Sequence, residues 1–258
     1  MRTIAKHLLS AFRELFPKGK HSWVLVGMVL LAAIIPVSEL LVAKIFSTMI
    51  IHINQYSTGR IIEHVAAFVG LFGVTRTAHY LQKTYKVRVF DKAFLATGKV
   101  RSKQKESWEW ALAFELTTIL SALTNLLVFV IFFSVLNWHY GIINVVVLLI
   151  SLQVIGMIFK RQMVTQADFV TKRKAKEHVD AAERVGARVK SGEIGTLFSS
   201  GGLVLLLGSL VVLAMNGLID PASGIVLFLG SRMQNSTLSQ ISGGLMRFAR
   251  ASANNQQA

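Results

Sequence analysis

The chain has 258 residues, of which 53% are hydrophobic and 16% charged, with no cysteine and a formal net charge of +15. A composition this apolar excludes an ordinary soluble domain and fits a membrane protein, and the missing cysteines exclude a disulfide framework and thiolate metal sites. So basic a soluble protein would suggest nucleic acid as a partner, but the way the charge is distributed along the chain points to a membrane surface instead.

Residues 1–22, MRTIAKHLLSAFRELFPKGK and the two that follow, are basic and amphipathic, with Ile4, Leu8, Leu9, Phe12 and Phe16 on one stripe. The stretch lacks a secretory signal's compact apolar run and small-residue cleavage site. It is expected to form an interfacial helix on the cytoplasmic surface. Six apolar windows long enough to cross ~30 Å of hydrocarbon follow. They cover residues 23–53, 61–81, 112–136, 141–159, 196–215 and 224–245. Of the 28 Lys and Arg, five fall in residues 1–22, eight in 83–105, nine in 160–195 and two after Leu245; the alternate connections carry only Arg60. This is the positive-inside pattern, which predicts cytoplasmic termini and cytoplasmic hairpins at 83–105 and 160–195. The predicted organisation is an N-terminal helix (1–22), an all-α membrane domain (23–250) and a short cytoplasmic tail (251–258). Anionic headgroups account for the basic loops without any nucleic acid.

The 160–195 stretch holds 14 of the chain's 41 charges, has no proline, and repeats Val179, Ala182, Val185 and Val189 at helical spacing. It reads as a helical hairpin in water. Segment one contains Pro36, expected to kink it, and then Glu39 near mid-membrane and Lys44. A charge at that depth costs at least ~2.5 kcal/mol, so Glu39 should face protein or water. It is either a substrate- or proton-handling carboxylate or half of a structural ion pair. Segment two carries Arg76 and His79. In the first hairpin, Phe90, Phe94 and Leu95 alternate with Arg88, Asp91 and Lys92, a knot suited to docking a partner or to covering the hairpin's own base. Trp108 and Trp110 mark the return to the interface, with Glu115 just inside. Asn125, Asn144 and Gln153 are expected to hydrogen-bond between helices, and the glycines and serines of segment five to let helices approach closely. Segment six contains Arg232, Gln234, Asn235, Ser236, Thr237, Ser239 and Gln240. Such polarity predicts either the lining of a water-filled cavity or glue between helices.

Six spans, helical cytoplasmic extensions after spans two and four, and short external turns resemble the transmembrane domain of an ABC exporter. The stretch LLAAIIPVSELLVAKIFSTMI is similar to that family's first helix, and residues from VVLAMNGLIDPASG to the end are similar to its fifth helix, external turn and sixth helix. The resemblance implies a bacterial inner-membrane protein that pairs with itself or a similar subunit to form a twelve-helix translocation pathway for export. It also implies a separate ATPase, which would supply ATP and Mg chemistry, docked on the hairpin tips at Phe90, Asp91, Phe94, Gly98, His178, Glu183 and Arg184. Glu39, Arg76, Glu115, Arg232, Gln234 and Asn235 are the expected cavity residues.

The chain itself is expected to bind no cofactor and to be no enzyme. The phosphate-cradling pattern GxxxxGK[ST] is absent: Thr97-Gly98-Lys99 mimics its end, but Ala93 and Val100 break it. About ten residues after segment six leave no room for a nucleotide-binding domain. The seven histidines show no HxxxH or HExxH spacing, so a metal site has no support. Two other readings stand beside the ABC subunit. One is an ATP-independent, proton-coupled transporter with an exporter-like fold, which would depend on Glu39 or Glu115. The other is a non-transporting auxiliary membrane subunit.

Overall fold

The structure, a computed structural model, describes residues 2–16, 20–96 and 102–255. Over these residues the chain is all-helical: α1 (Arg2–Leu15), α2 (Lys20–Ile51), α3 (Thr58–Ala96), α4 (Lys103–Leu136), α5 (Trp138–Lys174), α6 (Ala181–Met215) and α7 (Pro221–Asn255), with one 3-10 turn (Ile53–Gln55). Five helices, α2 to α6, are long and apolar enough to cross a membrane. Their outward residues include Leu30, Leu197, Val204 and Leu205, each at least 60% exposed. A surface of that kind is stable only against lipid. The chain is an all-α integral membrane protein.

Helix α7, which contains the sixth apolar window, differs from the other five. It packs against α2, α4, α5 and α6 and forms the axis of the bundle. Because its neighbours shield it, α7 tolerates a polarity that a lipid-facing helix could not. Helix α3 is the opposite case: it packs mainly on α2, and only 11% of its most apolar window is buried.

Small residues set the closest approaches. A methyl group on Gly230 of α7 would come within 2.6 Å of the Phe133 ring and 2.9 Å of Leu40, so α2, α4 and α7 converge on this glycine. Gly195 faces Ser242 of α7, and Gly202 faces Val147 and Ser151 of α5; Gly201 and Gly208 face open space. The glycines of α6 therefore divide between packing and an exposed face.

At Pro36 the ring removes the N–H that would have bonded the Ala32 carbonyl. Asn125 of α4 stands opposite this carbonyl: with its amide nitrogen toward α2, Nδ2 donates to Ala32 O at 3.0 Å and to Ser121 O at 3.2 Å, which satisfies the carbonyl that proline orphaned. Ser38 Oγ bonds back to the carbonyls of Ile34 and Ile35 of its own helix.

The turns are capped as their sequences suggest. Asn137 Oδ1 accepts from Tyr140 N–H at 3.0 Å, starting α5, while its Nδ2 donates to Leu218 O at 2.9 Å and ties the α4–α5 turn to the α6–α7 turn. Gly217 adopts φ +68°, where glycine is unstrained. Asp220 accepts from Ser223 N–H at the start of α7. Burial opposes ionisation of Asp220, but its hydrogen bonds from Ser223 and the charge of Lys44 outweigh it and hold the carboxyl below its ordinary value.

At the other end of the bundle, α5 and α6 continue past their apolar windows and meet at an exposed turn between Lys174 and Ala181, where Asp180 caps α6. Helix α5 runs fifteen residues beyond position 159, about 22 Å. The predicted helical hairpin is present.

Helix α1 does not rest its apolar stripe on lipid alone. Ile4, Leu8, Leu15 and Phe16 are buried by the protein, against α4 and α5, and Phe16 meets Phe90 and Phe94 of α3 at ring distances of 5.6 and 6.3 Å.

Candidate functional site

At 100° per residue, Arg232, Ser236, Gln240, Gly243 and Arg247 share one face of α7, and Asn235 and Ser239 border it. Arg232, Ser236, Gln240 and Arg247 are exposed, while Ser231, Gln234, Thr237 and Leu238 on the opposite side are buried. The central helix of the bundle therefore keeps a polar stripe open from Arg232 to Arg247, below an apolar first stretch with Ile225, Phe228 and Leu229 exposed. A guanidinium in mid-bilayer costs at least about 2.5 kcal/mol. The stripe needs water or another polar surface in front of it.

Polar contacts to four neighbouring helices hold α7 in place. Gln234 Nε2 donates to Asn144 Oδ1 of α5 at 2.7 Å, and both residues are essentially inaccessible. One hydrogen bond does not satisfy two amides: Gln234 Oε1, Asn144 Nδ2 and, next to them in sequence, Asn235 Oδ1 are buried without partners. Nearer α7's start, Tyr140 bonds to Ser231 and Lys44 Nζ donates to Ser223 Oγ at 2.8 Å. Further along, Ser242 Oγ donates to Gly192 O of α6 at 3.0 Å. Toward the basic end, Arg247 Nε donates to Glu115 Oε1 of α4 at 2.6 Å, leaving Glu115 Oε2 buried and unpartnered.

The six residues expected to line a cavity fall into three groups. Gln234 lies at the α5–α7 contact, with Asn235 at the border of the open face and Arg232 on it. Glu115 is ion-paired to Arg247. Glu39 stands 3.8 Å from His79 Nε2 across the α2–α3 contact, both side chains more than a third exposed, and Arg76 lies 5.0 Å over the ring of its own helix's Phe72. Within a single chain these groups do not surround one space. Cavities of about 450 Å³ lie elsewhere, between α5 and α6 around Ser151 and Gly202, and between α6 and α7 around Leu210 and Phe228; both are apolar.

The docking residues also separate. Phe90 and Phe94 are buried, packed with Phe16, Trp110 and Phe114 at ring distances of 5.1 to 6.3 Å. They hold the base of the hairpin, while Asp91 and Leu95 face outward. His178, Glu183 and Arg184 are exposed at the α5–α6 tip. Gly98 lies outside the described residues. Sequence reasoning missed Arg247 as the partner of Glu115, although its position seven residues after Gln240 puts it on the same helix face as the polar stripe.

No family model matches the chain, and no curated protein matches it.

Proposed function

We propose that this protein is the membrane-spanning subunit of an ABC-type transporter: a six-crossing bundle in which α7 is the sixth crossing, paired with a second copy or a similar subunit around a translocation pathway for export. The observation that carries this reading is the open polar stripe of α7 from Arg232 to Arg247, in a surface otherwise fit for lipid. A second bundle facing this stripe would enclose it in a watery space and remove the cost of exposing it to hydrocarbon. The helical extension of α5 and α6 gives a separate ATPase a tip to push, with His178, Glu183 and Arg184 exposed on it, and Asp91 faces outward beside the base of the α3–α4 hairpin. ATP and Mg would be bound by that partner, and the basic loops would lie in the cytoplasm.

Affinity purification from native membranes in mild detergent tests the reading. A stoichiometric partner bearing GxxxxGK[ST] and hydrolysing ATP is the expected result; recovery of this chain with no ATPase across several detergents would refute it.

One contact favours a second reading, proton-coupled transport. A carboxylate and an imidazole stand 3.8 Å apart inside the apolar segments, the residue types from which proton relays in membrane carriers are built. The two readings part at Glu39→Gln. ATP-driven coupling leaves the partner's ATPase rate within about twofold of wild type, because the substitution lies far from the tips; a proton-driven carrier has no ATPase to measure and loses its pH-gradient-driven proton flux.

A further inference from the structure

Beside the basic end of the bundle, where the α5–α6 hairpin leans on the end of α7, four arginines from three helices border one polar cavity of about 110 Å³. Arg173 comes from α5, Arg184 and Arg188 from successive turns of α6, and Arg250 from α7. A single water needs only about 10–15 Å³ measured in this way, so the space admits a multi-atom oxyanion. It is too small for a whole nucleotide.

Three features distinguish this cavity from a solvated basic surface. First, none of the four arginines is ion-paired to a carboxylate among the described residues. Of the acids in the hairpin, Asp168 pairs with Lys172 at 3.0 Å, Asp180 caps α6 through Ala182 N–H, and Glu177 and Glu183 are exposed and do not line the cavity. Second, two of the guanidiniums are fixed. Arg250 stacks over Trp108 with its Cζ 5.5 Å from the ring centroid, and Arg173 Nη2 donates to Asn254 Oδ1 at 3.0 Å. Third, Gln166 lines the cavity at 5% exposure with Nε2 unpartnered, a buried donor that costs free energy until it meets an acceptor. Burial and then the charges of Arg188, Arg184 and Arg173 depress the Arg250 guanidinium below its ordinary value. Uncompensated, the cluster repels itself.

We propose that this cavity binds a phosphate group, with Arg173, Arg184, Arg188 and Arg250 neutralising its oxygens and Gln166 Nε2 donating the remaining hydrogen bond. Arginine forks match phosphate oxygens in geometry as well as charge. The bound group staples the hairpin to the end of α7, so its occupancy sets how firmly the α5–α6 tip is held. The phosphate comes either from an anionic lipid, since Trp108 is an interfacial residue type, or from a soluble phosphorylated solute. The proposal does not depend on the transport reading.

The test is thermal unfolding of the full chain in two settings: detergent, with inorganic phosphate titrated against chloride at equal ionic strength, and nanodiscs of phosphatidylcholine with or without phosphatidylglycerol. The expected result is a rise in Tm with phosphate, with phosphatidylglycerol, or with both. Phosphatidylglycerol alone assigns a lipid headgroup; phosphate alone assigns a soluble ligand. Arg184→Ala/Arg188→Ala should weaken the apparent affinity at least about a hundredfold, and the charge-neutral Gln166→Leu about tenfold. Arg161→Ala/Lys190→Ala removes as much charge from exposed positions of the same hairpin and should leave the affinity within twofold. Equal responses to phosphate and chloride with no effect of phosphatidylglycerol, or equal losses in the two double variants, overturn the proposal.

Discussion

Gly230→Leu is expected to remove the folded protein from the membrane almost completely. Even a methyl group at this position would sit 2.6 Å from the Phe133 ring and 2.9 Å from Leu40, and both of those side chains are fully buried. Overpacking a closed site typically costs about 1–3 kcal/mol and more when neighbours cannot yield. Here the neighbours belong to two other helices, so relief requires α2 or α4 to move off α7 as a body. The check is the amount of monodisperse protein in detergent extracts. Gly201→Leu on α6, where nothing lies within 4 Å, should give wild-type amounts.

Gln234→Leu should lower the stability of the purified protein by about 1–3 kcal/mol, because it strips Asn144 of its one partner while Asn144 stays buried. Comparable pairs inside membranes average nearer 0.6 kcal/mol. The larger value is expected because Asn144 Nδ2 is already unpartnered, so the substitution leaves an entire amide unsatisfied. Adding Asn144→Leu should restore most of the loss, since replacing both partners removes the unsatisfied groups together. Denaturation midpoints of the two single variants and the double variant measure the coupling. An equally unstable double variant would mean that packing, not the amide pair, holds α5 against α7.

The apolar helices and the α5–α6 hairpin were legible in the sequence because each depends on local signals. Apolar windows, charge clustering and helical spacing act over neighbouring residues. What the chain folds back upon was not legible. The amphipathic pattern at Phe90 and Phe94 says only that an apolar face exists; that Phe16, just after α1, helps to cover it is decided by contacts over seventy residues away. Helix α7 was readable as too polar for lipid, which left cavity lining and helix glue as alternatives. The glue is present where Gln234 is buried against Asn144, while Arg232, Ser236 and Gln240 stay exposed on the other side of the same helix. Pro36 could be seen as a kink, but not that Asn125, eighty-nine residues later, supplies the hydrogen bond that the proline removes.

The most direct measurement of the central claim is thiol accessibility along the open stripe, for which the cysteine-free chain is already suited. Single variants Ser236→Cys and Gln240→Cys in intact membranes would be exposed to a hydrophilic maleimide, beside Lys176→Cys in the hairpin turn and Val204→Cys on the apolar surface of α6. Maleimide reacts with the thiolate, which forms in water and is suppressed in apolar surroundings. If the stripe of α7 lines an aqueous pathway, Ser236→Cys and Gln240→Cys label within about tenfold of the hairpin rate and far faster than Val204→Cys. If both label as slowly as Val204→Cys, the stripe faces lipid or a dry protein contact, and the pathway assigned to it does not exist.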